Sequence, residues 1–102
     1  MANELRKIVF NGEEISAALG VLGEKAQLDI PKAPLKGVTE EPGGYLILIF
    51  DNVLAQPLKL RTKDMIAALL IFCQQKKIMV PKNGKKVLKA EGKSLTMLIK
   101  MA

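Results

Sequence analysis

The sequence predicts an α+β domain made of two tandem copies of a unit of about fifty residues, and three observations carry that expectation. First, sliding the chain against itself by fifty positions, without a gap, aligns nine identical residues: Ala17/Ala67, Ala18/Ala68, Leu19/Leu69, Pro31/Pro81, Lys32/Lys82, Lys36/Lys86, Glu41/Glu91, Leu48/Leu98 and Ile49/Ile99. Similar pairs such as Ile8/Leu58, Phe10/Leu60, Ile15/Met65 and Val38/Leu88 keep the same register, and a fixed period marks a repeated structural unit. Second, each copy leads from a short strand pattern into an apolar helix pattern. Third, each copy ends on two strand patterns around a glycine-bearing turn. Two copies are too few for a solenoid, so they are expected to close on each other about a pseudo-two-fold axis.

The elements follow in order. Leu5–Phe10 and Pro57–Leu60 read as short strands, the second with Leu58 and Leu60 on one face and Lys59 and Arg61 on the other. Pro57 lacks an amide donor and suits a strand start or an edge. Asn11 can cap the first helix, with Glu14 as the reciprocal partner of a capping box. Thr62 can cap the second, with Asp64 near the positive end of the helix dipole. Leu28-Asp29-Ile30-Pro31 and Ile78-Met79-Val80-Pro81 read as short extended pieces stopped by proline. Lys36–Glu40 and Tyr45–Phe50 flank the turn Glu41-Pro42-Gly43-Gly44, and Lys86–Ala90 and Leu95–Met101 flank a turn around Gly92. Tyr45–Phe50 is apolar at every position, which predicts a central strand covered on both sides. The helices are expected to pack against one sheet, giving a βα(β)ββ unit twice, in residues 1–50 and 51–102 of a single domain. A small pseudo-symmetric β-barrel of the double-psi type is the alternative with the same element order.

The two helices differ in one respect. Where the second has Ile66, Leu70 and Cys73, the first has Ser16, Gly20 and Gly23, small residues expected to let a backbone or a bulky side chain approach closely. The second helix, through Met65–Cys73, is apolar nearly all round, which makes it a buried helix or a subunit interface, with Ile66, Leu70 and Cys73 as the candidate interface residues.

Composition narrows the function. Hydrophobic residues make up 49% and charged residues 25%, a globular balance. The longest apolar run spans nine residues, about half a membrane span. The start of the chain carries an early acid and leads into no long apolar stretch, and there is one cysteine, so a cytoplasmic address without disulfides is expected. Histidine is absent, which removes the usual general base near neutral pH and the commonest metal ligand. Ser16, in a helix, and Ser94, in a turn, have no base or oxyanion motif beside them. Glu13-Glu14 and Glu40-Glu41 read as helix-dipole and strand residues rather than a metal or acid–base pair, and no phosphate loop is present. No catalytic residue, metal or cofactor is therefore expected.

Net charge is +6, but residues 1–50 hold five basic and seven acidic residues, while residues 51–102 hold eleven basic and three acidic. That asymmetry points either to an anionic partner for the second half or to head-to-tail attraction between copies. Lys82, Lys85, Lys86, Lys89 and Lys93 form a candidate polyanion-binding segment, able to follow a phosphate backbone by counterion release. Against nucleic acid stand the shortage of arginine for base readout and of aromatics for base stacking. The leading expectation is a non-catalytic, self-associating interaction module. A lysine-driven, non-specific binder of nucleic acid or another polyanion is the alternative.

Overall fold

Strand β1 (Glu4–Phe10) runs into helix α1 (Gly12–Ala26), and strands β2 (Leu35–Glu41) and β3 (Tyr45–Phe50) follow as a hairpin. Strand β4 (Leu58–Arg61) then leads into helix α2 (Thr62–Gln75), followed by the hairpin of β5 (Lys85–Glu91) and β6 (Ser94–Met101). The structure, a computed structural model, describes residues 4–27, 30–31, 33–81 and 84–101. Both halves thus run β, α, β, β. The strands form two antiparallel three-stranded sheets rather than one, and they are not closed into a barrel: sheet A has the order β1-β6-β5 and sheet B the order β2-β3-β4. Each half lends its first strand to the other half's hairpin. Phe10 stands opposite Leu95 and Ile8 opposite Met97, while Leu60 stands opposite Leu46 and Leu58 opposite Leu48.

One core joins both sheets and both helices. Period 3.6 sends Ile15, Ala18 and Leu19 inward from α1, and Met65, Ala68, Leu69, Phe72 and Cys73 inward from α2. Period 2 sends Leu46, Leu48 and Phe50 inward from β3, and Leu95, Met97 and Ile99 inward from β6. The Phe10 and Phe72 rings meet edge to face at 6.4 Å between centroids, which ties β1 to α2. At the start of α1, Asn11 and Glu14 make the expected reciprocal cap, both hydrogen bonds at 2.9 Å.

Several expectations change. Thr62 does not cap α2: it is the first helical residue, and Arg61 holds the cap position without a side-chain bond. The Thr62 amide instead donates to the Gly44 carbonyl at 2.9 Å, so the turn of one hairpin closes the helix of the other half. Ile30-Pro31 and Ile78–Pro81 lie in no strand, and Leu28 and Asp29 fall outside the described residues. β3 is the central strand of its sheet but is covered on one side only, with Tyr45, Ile47 and Ile49 half-buried. Ser94 opens β6 rather than lying in the turn. Gly20 is exposed, and a Cβ there would meet nothing within 4 Å among the described residues, so none of them makes the expected close approach.

The fifty-residue register also breaks twice: at Leu35, buried where Lys85 is exposed, beside the register shift between Leu35 and Gly37, and again beyond the hairpin turns. Phe10/Leu60, Ile15/Met65, Ala18/Ala68, Leu19/Leu69 and Val38/Leu88 are buried in both halves. Beyond the hairpin turns, Leu48 is buried where Leu98 faces outward, and Ile49 faces outward where Ile99 is buried. Burial there matches at forty-nine positions, as Leu46/Leu95, Leu48/Met97 and Phe50/Ile99. The cause is turn length. Pro42-Gly43-Gly44 spans three residues and Gly92-Lys93 spans two, and one residue moves a whole strand to its other face.

Candidate docking surface

Strand parity divides the lysine segment. Lys85 and Lys89 project from the outer face of sheet A, away from the core. Lys86 lies on the inner-face parity and lines a groove with Leu70, Cys73 and Val80. Lys93 sits in the β5–β6 turn beside Asn11, Gly12 and Leu35. Lys82 falls outside the described residues. The five therefore do not form one ribbon.

Antiparallel pairing replaces them with a different group. Across the outer face of sheet A, Leu5, Lys100 and Lys85 make one row, Lys7, Leu98 and Val87 the next, and Val9, Thr96 and Lys89 a third. Lys85 stands directly opposite Lys100, a like-charge pair that costs stability on a sheet. Among the described residues, none of Lys7, Lys85, Lys89 and Lys100 makes an ion pair. Aliphatic side chains share the face: Leu5, 60% exposed, and Val9, 54%, flank Lys7 on the β1 edge, and the half-buried Val87 and Leu98 lie between the Lys85–Lys100 row and Lys89. Lys7, Lys100, Leu5 and Val9 were not legible as site residues, because only the pairing of the first strand with the last one brings them here.

The outer face of sheet B has the opposite character. Lys59 reaches Glu41 at 3.3 Å and lies 4.5 Å from the centre of the Tyr45 ring, so its charge is met within the sheet. Ile47 and Ile49 are half-covered beside it.

The expected helix interface is also divided. Cys73 is buried, so its sulfur adds no surface for a second copy. Burial first, and the Glu14 carboxylate second, push its thiol above the ordinary range, away from a reactive thiolate. Ile66 and Leu70 are half-buried against the core. Where they pack in α2, Ser16 and Gly20 of α1 leave a groove of about 370 Å³ walled by Leu19, Ile30, Pro31, Ala33 and Phe50. Among the described residues, no three His, Cys, Asp or Glu side chains converge as a metal site, and no helix is long and apolar enough to cross a membrane.

No protein-family model matches the chain, and no curated protein or solved structure matches it significantly.

Proposed function

We propose that this protein is a small, non-catalytic assembly module that self-associates through the outer face of sheet A. The observation that carries this reading is the row structure of that face: four lysines, none in an ion pair among the described residues, share it with Leu5 and Val9, each more than half exposed on the β1 edge. Sheets that carry apolar side chains on both faces are normally covered by a second layer on each. A solvated lysine face alone does not account for the aliphatic residues between the charges. A cytoplasmic setting belongs to the same reading, in keeping with a single free, buried cysteine.

The architecture behind it is read as a tandem duplication with a pseudo-two-fold axis. Support comes from the shared element order, from burial that repeats at Phe10/Leu60, Ile15/Met65, Ala18/Ala68, Leu19/Leu69 and Val38/Leu88, and from the reciprocal exchange of β1 and β4.

Sedimentation equilibrium across a concentration series tests the function. The module is expected to rise above its monomer mass at low salt and to fall back toward it at high salt, where lysine attraction is screened. A monomer under every condition would end the reading. The alternative, a polyanion binder, rests on the same unpaired lysines. It predicts a monomer that binds duplex with a salt slope near −0.9 per phosphate contact. Because Lys85 and Lys86 lie on opposite faces, replacing both by alanine would then flatten that slope by about one contact.

A further inference from the structure

We infer that the surface received by the outer face of sheet A is the exposed stripe of α1 on a second copy of this chain, in a head-to-tail contact. The inference rests on the self-association proposed above and names its mating surface. Charge selects the occupant. The basic face carries Lys7, Lys85, Lys89 and Lys100, so its partner must be acidic, and the exposed aliphatic residues require a surface that also excludes water.

Glu13, Ala17, Gly20 and Glu24 are all exposed and recur at the spacing of one helix stripe, opposite the buried Ile15, Ala18 and Leu19. Its ends are acidic and its middle is small. Among the described residues, a Cβ on Gly20 would meet nothing within 4 Å, which leaves room there for another molecule. Among the described residues neither Glu13 nor Glu24 makes an ion pair, and Glu13 shares a groove with Lys93 without one. The helix rise sets these two acids about 16 Å apart. The strand rise sets the Lys85–Lys100 row about 13 Å from Lys89, a difference that lysine and glutamate side chains span. A helix laid along β5 and β6 thus places one acid at the Lys85–Lys100 row and one at Lys89, with Ala17 and Gly20 over the half-buried Leu98 and Val87 between them. The matching stripe of α2 is Lys63, Ala67, Leu70 and Gln74, which carries no acid and does not fit. Both mating surfaces point away from the protomer's own core, so they meet only between copies, and the contact is heterologous.

A charge exchange tests this. One variant carries Lys89→Glu and Lys100→Glu, the other Glu13→Lys and Glu24→Lys, all at exposed positions. Each variant alone is expected to associate at least about tenfold more weakly than wild type, because like charges then face each other. An equimolar mixture is expected to regain wild-type mass, which also shows that both variants are folded. Wild-type association that survives the helix variant unchanged would overturn the inference while leaving sheet A as the docking face. A wild type that stays monomeric, with or without duplex binding, would overturn both.

Discussion

A hydroxyl shut away from water without a partner costs about 1–3 kcal/mol, and Thr96 presents one. The residue is 2% exposed, between Val9 and Lys89 on the central strand of sheet A, and among the described residues its Oγ1 has no hydrogen-bond partner. Thr96→Val keeps the shape and removes the orphan, so it is expected to raise stability by about 1 kcal/mol, read as a higher urea midpoint. A lower midpoint would mean that the hydroxyl is bonded in solution. Cys73 gives a residue-scale dependence on pH. Its folded pKa is raised by burial and by Glu14, so the native thiol keeps its proton where the unfolded thiol has lost it. Its contribution is complete below the unfolded pKa and declines as pH rises through the folded value. Cys73→Ala should therefore lose less stability than wild type on going from neutral to alkaline pH. In the wild type, thiol reagents should modify Cys73 slowly until the protein unfolds.

Helix starts were legible where the cap is a short polar side chain and illegible where it is not. Asn11 and Glu14 announced α1, and Asn11→Ala is expected to cost about 1 kcal/mol in chemical denaturation. Arg61 makes no cap bond, so Arg61→Ala should stay within about 0.5 kcal/mol. Thr62 misled because the helix end is satisfied by Gly44, a partner distant in sequence. The apolar run of α2 pointed correctly to burial. Leu69→Ala and Phe72→Ala are each expected to cost about 2–5 kcal/mol, and a marginal shift of the denaturation midpoint would place those side chains outside the core. Strand faces were harder to read. In Tyr45–Phe50 every position is apolar, so hydrophobicity does not say which parity faces inward, and the matches Leu48/Leu98 and Ile49/Ile99 held in letters but not in space. Turn length decides the register, and a one-residue difference between two glycine turns carries little signal in an ungapped comparison.

For the molecule as a whole, the sequence yielded strands, helices and their order, while the partition into two sheets lay beyond it. Nothing in Leu5–Phe10 names Leu95–Met101 as its partner, yet that pairing builds sheet A and sets Lys7 and Leu5 beside Lys100 and Lys85. In the sequence the lysines Lys82, Lys85, Lys86, Lys89 and Lys93 form one segment. Strand alternation splits it between two faces, and chain-distant residues supply what the face gains. The most direct test is to follow the methyl resonances of the wild-type protein through a dilution series at low salt. The proposal predicts concentration-dependent shifts for Leu5, Val9, Val87 and Leu98 on sheet A, with Ile47 and Ile49 of sheet B unmoved. Shifts confined to sheet B, or none across the series, would contradict it.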